Sequence, residues 1–138
     1  MKITRALPVS LILSVWLGAH PMGNFSISHF SAIRIEASRV AVDYTLDFAE
    51  IPAGELLRGW GLDGAGAQAE VEQKAAGAMR GWGDGLQLSQ AGRPLKLSLG
   101  KSEVVVTAGA GGLPVLRITG HFSAPVDRKS TRLNSSHG

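Results

Sequence analysis

Alternation of apolar and polar residues marks two regions of the chain and is missing from the stretch between them. Val40, Val42, Tyr44, Leu46 and Phe48 alternate with Ala41, Asp43, Thr45 and Asp47. Apolar side chains on one face at a period of two are the signature of a half-buried strand. Just upstream, Ile33 and Ile35 flank Arg34, and Ala37-Ser38-Arg39 forms a short turn. The pair reads as an antiparallel hairpin with one face buried and one wet. Further on, Leu86 and Leu88 lead to a turn at Gln90-Ala91-Gly92-Arg93, and Leu95, Leu97 and Leu99 alternate. Gly100-Lys101 reads as a turn and Val104-Val105-Val106 as a short buried run. Val115 to Phe122 forms the last strand, placed at a sheet edge because Pro114 opens it.

The stretch between has a helical period. Pro52 fits a first helical position, followed by Ala53 to Arg58 and a stop at Gly59. After a glycine-rich loop, Val71, Ala75, Ala78, Met79 and Trp82 share one face, and Glu70 stands four residues before Lys74. Gly81 and Gly83 close this second helix. The tetrapeptide Arg-Gly-Trp-Gly at 58–61 recurs at 80–83, consistent with two similar helix ends. Six strands and two helices predict a mainly β, α+β fold. Its architecture is an antiparallel β-sandwich or an open sheet with one or two helices inserted between its halves.

Composition changes the picture mainly at the ends. The net charge of +3 is carried by Lys2 and Arg5 near the start and by Arg128, Lys129 and Arg132, opposed by Asp127, near the end. Residues 20–126 hold 9 basic and 10 acidic side chains, so the basic patch that nucleic-acid binding needs is missing. Residues 1–19 read as a secretory signal peptide: a positive start, an apolar run from Ala6 to Leu17, and small residues at Gly18-Ala19 before the cut. The run falls short of the roughly 20 residues of a spanning helix. Residues 20–126 are then a β-rich extracytoplasmic domain, without cysteine and therefore without disulfides or thiolate metal sites. Residues 127–138 have no period of their own. Asp-Arg-Lys-Ser-Thr-Arg-Leu-Asn-Ser-Ser-His (127–137) resembles the translation of a common sequencing adapter, which makes the tail an artefact that interrupts the gene near Val126.

Catalytic spacings are scarce. No nucleophile elbow, phosphate loop or HExxH pattern occurs, and the chain reads as a non-enzyme. Asp43 and Asp47 share the polar strand face, where two acids suit a glycosidase but alternation alone already predicts them. The histidines offer more. Cleavage after Ala19 makes His20 the amino terminus, where its α-amine and imidazole form a bidentate clamp for a divalent metal, nickel, cobalt or copper. His29 and His121 are the further metal-ligand candidates, with Asp43 and Met22 behind them. The alternative is a terminal His20 free in solvent, with His29 and His121 as ordinary strand residues.

The start at 19–30, Ala-His-Pro-Met-Gly-Asn-Phe-Ser-Ile-Ser-His-Phe, is followed by Val42-Asp43-Tyr44 and by Leu46-Asp47-Phe48-Ala49-Glu50-Ile51-Pro52. With Gly111 to Arg117, these segments resemble the extracytoplasmic amino-terminal domain of bacterial nickel/cobalt transporter-like membrane proteins. The resemblance covers most of residues 19–126. It implies a periplasmic, membrane-associated accessory domain whose partner is a downstream transmembrane transporter domain. Two other readings stay open: a structural or protein-binding module without metal, with Phe25, Ile27 and Met22 buried as the start docks into the sheet, and a small periplasmic copper-binding protein.

Overall fold

The computed structural model describes residues 25–62 and 66–126. His20, Met22, the signal peptide and the tail fall outside the described residues. Strand β1 (Ile27–Ile35) runs into β2 (Arg39–Phe48) through a turn closed by Glu36 N–H donating to the Arg39 carbonyl at 2.9 Å. The predicted hairpin therefore forms, and its register is unbroken from Ile27 opposite Phe48 to Ile35 opposite Val40. Helices α1 (Glu50–Gly59) and α2 (Gln68–Gly83) follow. A small hairpin of β3 (Leu88–Gln90) and β4 (Arg93–Leu95) then leads to β5 (Ser98–Ala108) and β6 (Pro114–Pro125). The main sheet is antiparallel and open, in the order β1-β2-β6-β5. The fold is thus mainly β, and of the two expected architectures it is the open sheet with helices between its halves.

Three local expectations change. Pro114 does open β6, yet β6 lies in the middle of the sheet, between β2 and β5. A proline at the first residue of a strand costs little, because the missing N–H sits where pairing is only starting. Gly100-Lys101 is no turn: β5 runs straight through it, with a register shift between Leu99 and Lys101. Glycine accommodates such a bulge inside a strand. Helix α1 begins at Glu50, which puts Pro52 third, still within the first turn where its missing N–H would have had no partner. The Gln90–Arg93 turn forms as expected, with Ala91 and Gly92 both at positive φ (49° and 77°), the twist a two-residue hairpin needs.

The core lies between one face of the sheet and the helices. Val42, Leu46 and Phe48 of β2 face Phe122, Ile118 and Leu116 of β6, all buried. Ala53 and Leu57 of α1 and Val71, Ala75 and Met79 of α2 close over them. The contact is close because glycine stands at two crossing points. A Cβ on Gly120 would lie 2.6 Å from Met79 Cγ, and one on Gly83 would lie 2.3 Å from Phe122 Cε1. Both Arg-Gly-Trp-Gly segments are helix ends, and Trp60 and Trp82 pack half-buried on the core, Trp82 with its ring centroid 5.7 Å from that of Phe48. Helix α2 lies over β5 and β6, and α1 over β6 and part of β2. The main packing neighbour of β1 is β2. That leaves one strand of the sheet outside the helical layer.

Candidate functional site

Directly opposed residues of an antiparallel pair point to the same face. On the face away from the helices, this brings charged side chains from all four strands into a row. Asp43 of β2 stands opposite His121 of β6, and its Oδ1 is 2.7 Å from His121 Nδ1. From β1, Arg34 donates to Asp43 Oδ2 at 2.5 Å. From β5, Lys101 donates to Glu103 at 2.5 Å, and Glu103 Oε1 lies 3.6 Å from His121 Nε2, a nitrogen buried without a hydrogen-bond partner. One step along, Arg117 holds both carboxylate oxygens of Asp47, at 2.6 and 2.9 Å. The Arg34 hydrogen bond, then that of His121, holds the Asp43 carboxyl below the usual carboxylate range; Arg117 does the same for Asp47. Both acids are tied up in ion pairs, and neither has the raised proton affinity a general acid needs.

The sequence-predicted metal candidates do not converge. His29 of β1 pairs in register with Leu46 and lies on the helix side of the sheet, where its Nδ1 is 2.7 Å from Tyr44 Oη. His121 lies on the opposite side, so one ion cannot take both. Of the expected groupings, only Asp43 with His121 is brought together. Among the described residues, no group of three or more His, Asp or Glu side chains is placed to hold a metal ion. The amino-terminal clamp of His20 lies outside the described residues.

The feature that stands out physically is β1 itself. Its helix-side row, Ile27, His29, Ser31, Ile33 and Ile35, continues the core face of β2, yet neither described helix covers it, and Ile35 is 86% exposed. Phe30 on the other face is 66% exposed, and Phe25, just before the strand, 71%. The face expected to be buried in this hairpin is buried on β2 and bare on β1. Phe25 and Ile27, which docking of the start was expected to bury, are exposed as well. A single exposed apolar residue is ordinary, but five large ones on and beside one strand, spread over both its faces, are more than an isolated strand needs and mark β1 as a candidate interaction surface. The sequence held a hint of this: β1 carries apolar residues at both parities, Phe30 as well as the isoleucines, which a strand with one wet face does not need.

Among the described residues, no strand pairs with the outer edge of β1. The strand has no proline, its register with β2 has no bulge, and its one Asp, Glu, Lys or Arg residue, Arg34, is drawn back across the sheet by Asp43. These are the devices that normally keep an edge strand from pairing with other chains. No protein-family model, curated protein sequence or solved structure was found to match this chain.

Proposed function

We propose that this chain is the extracytoplasmic accessory domain of a nickel/cobalt transporter-like membrane protein, and that it acts by docking through β1 rather than by catalysis. The observation that carries the reading is the exposed strand: among the described residues it shows large apolar side chains on both faces, lies outside the cover of either helix, and has no partner along its outer edge. A domain that works alone gains nothing from such a surface, whereas a module of a larger assembly buries it on docking. The resemblance of residues 19–52 and 111–117 supplies the assembly, a transmembrane transporter domain encoded beyond Val126. The described residues contain no helix long and apolar enough to cross a membrane, so transport would belong to that further domain. In this reading His20, freed by cleavage after Ala19, adds a bidentate clamp for nickel, cobalt or copper in the segment leading into β1.

Three measurements test this. Resequencing across codon 126 should reveal hydrophobic spans downstream; an early stop codon there would remove the transporter. In the intact protein, Ile33→Lys with Ile35→Lys should lower nickel or cobalt transport while leaving the domain folded, since both side chains are exposed. Unchanged transport would show that β1 is no docking surface. For the clamp, nickel, cobalt and copper are titrated into the processed chain and into a form with an extra alanine before His20. The insertion separates the α-amine from the imidazole, and equal affinity in both would eliminate the site.

A further inference from the structure

The two edges of the main sheet are finished in opposite ways, and the difference points to what covers β1. Strand β5 is guarded: it carries a bulge at Leu99/Lys101, and Lys101 and Glu103 stand exposed on it. Strand β1 has no bulge, and its one charged residue, Arg34, is paired inward with Asp43 of the neighbouring strand. A chain with two bare edges stacks into open fibres, and one with two guarded edges stays alone. One bare edge and one guarded edge suit a closed pair.

We infer that β1 pairs edge to edge with β1 of a second copy of this chain, antiparallel about a two-fold axis at Ser31, giving one continuous eight-stranded sheet that ends at β5 on both sides. The inference rests on the reading of β1 as a docking surface and names its occupant. The strand is self-complementary in this register. Ile27 meets Ile35 of the second copy, His29 meets Ile33, Phe30 meets Ala32, and Ser28 meets Arg34. Antiparallel partners share a face, so on the helix side Ile27 meets Ile35 at each end, Ile33 meets His29, and Ser31 meets itself at the axis, while on the other face the Phe30 ring finds space beside a small residue. No like charges are opposed. Each copy brings the outward-pointing backbone groups of β1, those not bonded to β2, and pairing satisfies them at once on both sides.

Sedimentation velocity and light scattering on the exported full-length chain, over a concentration series, test the pair. The wild type should run at twice the monomer mass. Ser31→Lys and Ser31→Glu, each on an exposed residue that would face itself across the axis, should weaken association roughly tenfold or more by opposing like charges. Mixing the two variants should restore the dimer, because lysine then faces glutamate. Thr107→Lys on the guarded edge should leave the mass unchanged, and circular dichroism confirms that each variant is folded. A monomeric wild type, a Ser31→Lys protein that dimerises as tightly as the wild type, or a mixture that stays monomeric would overturn the pair. The docking reading fails separately: a monomeric chain whose intact parent loses transport with Ile33→Lys and Ile35→Lys keeps that reading without a second copy. A dimer whose transport is untouched does the reverse.

Discussion

Strands β6 and β1 have similar apolar content, and they sit in opposite circumstances. On β6, Leu116, Ile118, Phe122 and Ala124 lie under the helices and are buried almost completely. On β1, Ile27, Ile33 and Ile35 lie on the same face of the same sheet and are open to solvent. The difference is where the helices fall. Gly83 and Gly120 let α2 settle closely onto β6, while α1 reaches only part of β2. An apolar row at strand period thus states that something covers it, without stating whether the cover is in the same chain.

The sharpest way to break this contrast is to truncate matching residues. Ile118→Ala should cost about 2–5 kcal/mol, since the side chain is fully buried among Val104, Leu46 and the helices and leaves a cavity. Ile35→Ala should change stability by less than about 0.5 kcal/mol, as exposed substitutions do. Urea denaturation in a Ser31→Lys background, where association is suppressed, measures both. A comparable loss at the two sites would mean that β1 is covered within the chain.

Which parts were readable follows from the same contrast. The Val40–Phe48 alternation predicted β2 because a strand with one buried and one wet face repeats every two residues whichever strands flank it. The helical faces were readable for the same reason: Val71, Ala75 and Met79 are buried on α2 as their spacing predicts. Sheet order was not, because pairing partners depend on long-range closure. Pro114 spoke only for the end of β6, and Gly100 permitted a turn or a bulge equally well. Side-chain parity did carry information about the histidines. His121 alternates with the buried Gly120 and Phe122 and so faces away from the helices, while His29 shares the parity of Ile27, Ile33 and Ile35. Without the β2 register linking those parities, the separation of the two histidines stayed invisible.

A smaller effect is expected on the polar face. Asp43→Asn removes the charge that holds Arg34 back and that accepts from His121, and should cost about 1 kcal/mol at neutral pH. The sign of its pH dependence is fixed by the depressed proton affinity of Asp43 in the folded state. A carboxyl whose folded pKa lies below its unfolded value stabilises fully above the unfolded value, about 4, and loses that contribution as pH falls through the folded one. The gap between wild type and Asp43→Asn should therefore be constant near neutrality and close below about pH 4. Chemical denaturation at several pH values reads it. A gap that widens on acidification would remove Asp43 as the stabilising group.

The smallest change in stability should accompany the largest change in behaviour. Lys101→Thr with Glu103→Thr removes the charges that guard β5, from an ion pair whose side chains are 67% and 56% exposed and which contributes little to stability. The unfolding midpoint should stay nearly where it is. With β5 stripped and β1 already bare, the sheet has two edges open to pairing, and a closed dimer has no reason to stop. Light scattering should then report species beyond the dimer, growing with concentration. Combining the double substitution with Ser31→Lys should cap growth again, because β1 no longer joins. If the double variant keeps the wild-type mass at all concentrations, the bulge at Leu99/Lys101 is guarding β5 by itself, and the charges are decoration on an edge that geometry has already closed.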